Sequence, residues 1–202
     1  ITGVTTISAS GQNVTLDTET NNFAGAVKIT GYQVTVVDED ALDLGASTIT
    51  RWLIVTAGGA ITNSGALVIT RNARFEAGSD NDITLDHASN NFQREVKIDS
   101  GKDITLVDTN AIILGASTVS GTYDVTAAGD IIDYGALEIT GVTTLEAGSS
   151  NDITLNTSTN NFAAAVVITS GKDVTLVDED AIDLGAATVS GTYAVTATTG
   201  GI

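Results

Sequence analysis

The sequence predicts an all-β fold, a right-handed parallel β-helix (β-solenoid) of about nine coils. Three observations predict it: a 70-residue repeat present in three copies, runs rich in Val, Ile and Thr, and the absence of proline. The segment VTVVDEDALDLGAST, which begins at Val34, recurs in slightly altered form from Ile104 and from Val174. A fixed period of this kind is typical of stacked arrays, in which each unit completes its neighbour's core.

The composition favours strands over helices throughout the chain. Val, Ile and Thr suit pleated, half-buried strands, whereas the long Leu, Glu, Lys and Arg stretches that form helices are missing. The 21 glycines serve tight corners, and a chain with no proline can enter every backbone N–H into a ladder. Alternation in segments such as VTL and ITL places Val, Ile and Leu inward and Thr outward.

The repeat divides the chain into three units, approximately 1–64, 65–134 and 135–202, which form a single β-solenoid array over residues 1–202. The middle unit separates into three pieces of unequal length, residues 65–92, 93–114 and 115–134. We interpret each piece as one coil with three sheets, so that a unit contains three coils. Left-handed solenoids need regular coils of about 18 residues, and the longer, unequal pieces favour a right-handed one.

Both ends of the sequence fall inside a repeat. Ile1, Thr2 and Gly3 align with the ITG that begins at Ile139, and the final VTATTGGI matches the interior segment from Val125. Solenoids usually carry atypical, polar terminal units. We therefore expect the chain to be an excerpt of a longer repeat protein.

The charge and composition restrict the classes of partner. The net charge of −17 argues against nucleic acid and anionic membranes, since both require clustered Lys and Arg. The chain has no cysteine and no long apolar run, so the sequence predicts neither disulfides nor a membrane-spanning segment. Two uses of the acidic surplus remain open, solubility and the binding of divalent cations.

Acidic residues cluster at one corner of the first and third units. Several carboxylates at a turn can bind Ca²⁺, which takes six to eight oxygen ligands. The alternative is a solvated, like-charged surface, which the middle unit favours because it has Thr109, Asn110 and Ile113 at these positions. The Ca²⁺ candidates are Asp38, Glu39, Asp40, Asp43, Asp178, Glu179, Asp180 and Asp183.

The tripeptide NNF recurs once in each unit. We expect its aromatic side chains to be core anchors and its asparagines to satisfy backbone groups at corners, rather than to form a ladder across coils. The structural candidates are Phe23, Phe92, Phe162, Asn22, Asn91 and Asn161.

A few residues depart from the repeat. Five of the eight basic residues lie in the middle unit, namely Arg71, Arg74, Arg94, Lys97 and Lys102, and the only tryptophan, Trp52, follows Arg51 where the other units have Gly-Thr. These residues predict either a lateral docking surface for a second rod or random divergence of the repeats. The only histidine, His87, is interpreted as surface variation.

The segments LDTETNNFAGAVKITG (residues 16–31) and LNTSTNNFAAAVVITSG (residues 155–171) resemble repeats of autotransporter passenger domains. The sequence pattern of the rest of the chain, as in VTAGGAIT from Val55, is similar to that of filamentous-haemagglutinin-like bacterial exoproteins. This resemblance implies a right-handed β-helix, secretion across a bacterial outer membrane, and service as an adhesin or surface filament. It carries over no catalytic residue.

The function expected is that of a structural or adhesive protein, extracellular or on a bacterial cell surface, in the form of a rigid rod. We expect it to be no enzyme, to need no cofactor beyond the candidate Ca²⁺, and to associate with itself into filaments, with other surface components or with glycans. Its outward threonines are also compatible with a flat array for ice or crystalline polysaccharide. The alternative function is that of a polysaccharide-active enzyme or carbohydrate-binding module on the same fold.

Overall fold

A computed structural model describes all residues from Ile1 to Ile202. The chain forms 26 strands, and every strand pair is parallel. None of its elements is an α-helix, so no helix of membrane-spanning length and hydropathy is present. Successive coils stack with their strands in register, which confirms the all-β solenoid.

Two long sheets carry most of the hydrogen-bond ladder. In order along the stack, sheet 1 contains β2 (Val14–Leu16), β4 (Val34–Asp38), β7 (Leu53–Ala57), β10 (Ala73–Glu76), β13 (Glu95–Ser100), β15 (Ile112–Leu114), β18 (Ile131–Asp133), β21 (Ile153–Leu155), β24 (Val174–Asp178) and β26 (Tyr193–Ala197). Sheet 2 contains β5 (Leu42–Asp43), β8 (Ile61–Thr62), β11 (Ile83–Leu85), β14 (Ile104–Asp108), β17 (Tyr123–Ala127), β20 (Thr143–Glu146), β23 (Val166–Gly171) and β25 (Leu184–Val189). Sheet 1 therefore runs through ten successive rungs.

Two shorter sheets lie at the sides. Side sheet A contains β1 (Thr5–Ser8), β3 (Val27–Gly31), β6 (Ser47–Ile49), β9 (Leu67–Ile69) and β12 (Asn91–Phe92). Side sheet B contains β16 (Ser117–Val119), β19 (Leu137–Ile139) and β22 (Asn161–Phe162). Side sheet A follows sheet 2 along the chain, whereas side sheet B follows sheet 1, so the two occupy opposite sides of the cross-section.

One sequence repeat makes three and a half coils, not three. The segment from Val34 forms β4 in sheet 1, its equivalent from Ile104 forms β14 in sheet 2, and the third copy, from Val174, forms β24 back in sheet 1. Seven rungs separate β4 from β24, so a coil takes roughly 20 residues, because each coil adds one rung to the sheet. Each unit is therefore rotated by half a turn relative to the one before.

The ten rungs of sheet 1 agree with the expected stack of about nine coils, but the expected division of each unit into three coils is wrong. The piece 65–92 contains one full coil plus β12, which already stacks on β9 as the start of the next coil. The observed steps between paired residues of sheet 1 are more even, such as Val34 to Leu53 and Ala73 to Val96. Equivalent corners of adjacent units consequently lie on opposite faces of the solenoid, rather than three coils apart on one face.

A single core fills the stack from end to end. It comprises 44 buried apolar residues in one cluster, and the strands alternate between buried and exposed positions as the period-2 pattern predicts. In the first and last coils the inward residues, such as Ile7 and Val195, are only partly buried. The core thus depends on contact between neighbouring coils, as in other solenoids.

Candidate functional site

The first aspartate of each acidic run is a buried corner residue. Asp108 ends β14, and its side chain accepts a hydrogen bond from the backbone N–H of Phe92 at 2.7 Å and from that of Asn110 at 2.7 Å. The first bond joins the corner to the preceding coil, and the second closes an Asx-type turn. One carboxylate thereby satisfies two backbone donors that would otherwise lack partners.

The other two units repeat this corner. Asp38 accepts from Phe23 at 2.8 Å and from Asp40 at 2.9 Å, and Asp178 accepts from Phe162 at 2.8 Å and from Asp180 at 2.7 Å. Both aspartates are buried. The middle unit makes the same contacts although other residues replace the acidic neighbours. The first aspartate of the run therefore serves to satisfy backbone N–H groups.

The remaining Ca²⁺ candidates lie at the surface around these corners. Glu39 and Asp40 accept hydrogen bonds from the Nδ2 of Asn22, and Glu179 accepts one from that of Asn161. Asp43 accepts bonds from the backbone and hydroxyl of Ser64, one coil further on. No three acidic or histidine side chains in the chain lie close enough together to hold a metal ion, and Asp180 and Asp183 are exposed.

Burial raises the pKa of the Asp108 carboxyl, while the N–H donors of Phe92 and Asn110 act in the opposite direction. Asp103, at a nearby corner, shows the reverse effect. The backbone N–H of Thr122 donates to its carboxylate, which lowers the pKa of Asp103, and Lys102 adds to the lowering. Desolvation thus dominates at the buried carboxyl, whereas hydrogen-bond donors dominate at the exposed one.

The three NNF phenylalanines lie in the core, and the ring of Phe92 packs edge-on against Phe75 at a centroid distance of 6.5 Å. In the asparagine pairs, the first residue is the more buried. Asn160 is fully buried, donates to the Oδ2 of Asp133 at 2.7 Å and accepts from the N–H of Leu137 at 2.9 Å. The second residues, Asn22, Asn91 and Asn161, are exposed or half-buried.

Sequence reasoning missed the partners of these buried asparagines. Asn90 accepts a hydrogen bond from the Nδ2 of Asn63 at 2.7 Å, and one repeat later Asn160 and Asp133 make the equivalent contact with donor and acceptor exchanged. Asn63 and Asp133 occupy equivalent positions in the repeat but are different residues, so the repeat alone did not identify them as partners. Their burial beside an asparagine that recurs in every unit is the signal that identifies them.

The departures from the repeat form one surface, here called the basic patch. It occupies nine positions on three successive coils: Arg51, Trp52, Ile54, Arg71, Asn72, Arg74, Arg94, Glu95 and Lys97. Between successive coils, register partners differ by the same number of residues in the strand before this corner and in the strand after it. Arg51, Arg71 and Arg94 therefore occupy the same corner position in three consecutive coils. Lys102 lies elsewhere, paired with Asp103 at 3.3 Å.

Arg51 lies over two aromatic rings, those of Trp52 and Tyr32. Its guanidinium carbon lies 4.3 Å from the ring centroid of Trp52 and 5.5 Å from that of Tyr32. Trp52 also lines a pocket of about 250 Å³ together with Ile54, Arg74 and Lys97. Arg74 and Lys97 both contact Asp99, whereas Arg51, Arg71 and Arg94 have no ion-pair partner.

A second concavity, an open groove of about 370 Å³, lies over side sheet B. Its floor includes Thr118 and Glu138, which are register partners, and Glu179 lies further along it. Ser120 donates to the carbonyl of Ser79 at 2.5 Å, which fixes the loop at one side of the groove. Most of the residues that line this groove are polar, and two of them are carboxylates.

These features define the chain as a rigid β-solenoid repeat protein whose recurring side chains join coil to coil. The sequence matches a family described as repeats of unknown function (DUF5649) over residues 1–30, 31–99, 101–169 and 171–202. The chain therefore belongs to this family, and the matches that begin at positions 31, 101 and 171 follow the period of the sequence repeat. Neither the curated proteins nor the solved structures contain a significant match.

Proposed function

We propose that the chain forms a rigid rod on a bacterial cell surface, with a structural or adhesive role. The observation that supports this proposal is the continuity of the stack. Sheet 1 has ten parallel rungs, and one uninterrupted core runs beside it. A ladder of this kind resists bending and local unfolding because each coil packs on both neighbours. Each coil of roughly 20 residues lengthens the rod by one rung, roughly 4.8 Å.

The extracellular location and the adhesive role rest on the resemblance to filamentous-haemagglutinin-like and autotransporter passenger proteins. A rod also displays its side surfaces repeatedly, and the half-turn between units presents equivalent residues on alternate faces. A partner on one side therefore meets every second unit. This spacing suits contacts with other surface components or with neighbouring rods.

Electron microscopy and small-angle X-ray scattering of the purified chain test the rod. We expect particles of uniform width, about 50 Å long from ten rungs of roughly 4.8 Å. Concentration-dependent lengthening would support end-to-end association, and widening would support lateral association. Compact, near-spherical particles would contradict the proposal. Repeating the measurement with Ca²⁺ and with a chelator tests the candidate cation sites.

The alternative, a polysaccharide-active enzyme, is favoured by one feature, the groove with Glu138 and Glu179. Paired carboxylates are the groups that most glycoside hydrolases use. A screen of polysaccharides for release of reducing ends or unsaturated products tests this function. Turnover that is lost in the Glu138→Gln variant would establish the enzyme and displace the purely structural proposal.

A further inference from the structure

The basic patch has a counterpart within the same chain, and the two differ sharply in charge. The equivalent positions, half a turn away, are Gly121, Thr122, Asp124, Gly141, Val142, Thr144, Ala164, Ala165 and Val167. The backbone is the same at both places, as the bond from the Arg71 N–H to the Arg51 carbonyl at 3.0 Å has its match between Gly141 and Gly121 at 2.8 Å. The fold therefore does not require the basic and aromatic residues.

The patch is a local cationic surface on a strongly acidic molecule. Its nine positions hold five cations and one carboxylate, Glu95, and Asp99, which contacts Arg74 and Lys97, reduces the net charge to +3, whereas the whole chain carries −17. Three of the cations, Arg51, Arg71 and Arg94, have no carboxylate partner and are spaced by one rung each, about 4.8 Å. This row of arginines fits a ligand whose negative charges recur at regular intervals along the rod axis.

The aromatic residues add a second requirement. Trp52 is exposed over 42 % of its surface and borders the pocket of about 250 Å³ beside Arg74. A flat indole ring at the edge of a small pocket binds a ring with an apolar face, and Arg51 is held in place by stacking on it. The guanidinium group of an arginine can donate two parallel hydrogen bonds to one carboxylate. A guanidinium group that is already held by stacking loses little conformational entropy when it binds in this way.

We propose that the basic patch binds an acidic polysaccharide, with a sugar ring against Trp52 and its carboxylates on the arginine row. This site goes beyond the proposed function, because a rigid rod needs no ligand and folds equally well with Gly-Thr at the same place. A second copy of the chain, which carries 25 acidic residues, is the other occupant, and the double variant described below distinguishes the two.

The test uses the fluorescence of Trp52, which is the only tryptophan and therefore reports on the patch alone. The chain is titrated with polygalacturonate, with a neutral galactan of similar length and with polyglutamate. We expect saturable quenching or a spectral shift with polygalacturonate, weakened by added salt, and little change with the other two. Equal responses to galactan or polyglutamate would overturn the proposal, because the charge or the sugar ring would then be dispensable.

The matched variants replace patch residues by those of the repeat. Arg71→Gly and Arg94→Ala keep the reporter, and each is expected to weaken binding about tenfold, as loss of one charged contact does. Lys172→Ala, which removes a cation outside the patch, should leave binding unchanged. An unchanged affinity in both patch variants would overturn the proposal.

For the double variant Arg51→Gly with Trp52→Thr, binding is followed by calorimetry and the rod by electron microscopy. Loss of binding with rods intact supports the site and separates it from the proposed function. Self-association of the unmodified chain that disappears in this variant without any polysaccharide would assign the patch to a second copy and contradict the proposal.

Discussion

The NNF corners and the basic patch are built on the same repeating backbone but use it in opposite ways. At the corners, Asp38, Asp108 and Asp178 make the same pair of backbone contacts in every unit. At the patch, the side chains exist once, and the equivalent surface half a turn away is small and uncharged apart from Asp124. Side chains that recur therefore hold coils together, whereas those that depart from the repeat are available for recognition.

The largest effect is expected from the aromatic anchor of a corner. Phe92→Ala removes a fully buried ring that packs against Phe75, and should lower the free energy of unfolding by about 3–5 kcal/mol. Denaturant unfolding followed by circular dichroism measures it. Phe92→Leu, which retains most of the volume, should cost much less, and equal losses in both variants would contradict close packing at this corner.

A somewhat smaller loss is expected from the corner carboxylate. Asp108→Ala leaves the buried N–H of Phe92 without its acceptor, at roughly 1–3 kcal/mol, whereas the half-buried N–H of Asn110 can bond to water instead. The control is Asp86→Ala, which removes an exposed carboxylate with no hydrogen bond and should change stability by less than about 0.5 kcal/mol. Similar results for the two variants would show that Asp108 is merely an acidic surface residue.

The patch should behave in the opposite way. Arg51→Gly with Trp52→Thr installs the residues that the other two units already have, so the free energy of unfolding should change by no more than about 1 kcal/mol. The same denaturant titration measures it. A loss as large as that of Asp108→Ala would place these residues with the corners, among the groups that maintain the fold.

The smallest effect concerns pH. Because burial raises the pKa of Asp108, the stability linked to this group is present below its ordinary pKa of 3.8 and is lost as pH rises through its folded value. Asp103, whose pKa is lowered by the Thr122 N–H donor, contributes above its ordinary pKa, and this is lost as pH falls through its folded value. A carbon-detected NMR titration should give Asp108 the higher pKa, and the reverse order would contradict the geometry.

Much of the fold could be predicted from the sequence. The period of the repeat, the alternation of strands and the buried phenylalanines each follow from local patterns, because a strand with one buried face needs apolar residues at every second position. The number of coils per repeat did not follow. Corners such as 78–82 vary in length, and only the pairing of β12 with β9 shows where one coil ends.

The sites were less predictable for a related reason. The run of acidic residues in the sequence suggested that Asp38, Glu39 and Asp40 act together. In the structure Asp38 is buried, whereas the other two side chains are exposed. The sequence also identified the unusual residues Arg51 and Trp52, yet could not place them beside Arg74 and Lys97. That proximity depends on inter-coil register, which single-strand patterns do not encode.

Engineered cysteine pairs test the half-turn between repeats, since the chain has no cysteine of its own. Outward-facing register partners lie within disulfide range. Thr84→Cys with Thr105→Cys, and Arg74→Cys with Lys97→Cys, should therefore each oxidise to an intramolecular disulfide. Arg74→Cys with Thr105→Cys should remain reduced, because Thr105 lies on sheet 2. A disulfide in this third pair, as three coils per repeat would allow, with none between positions 84 and 105, would rule out the half-turn between repeats.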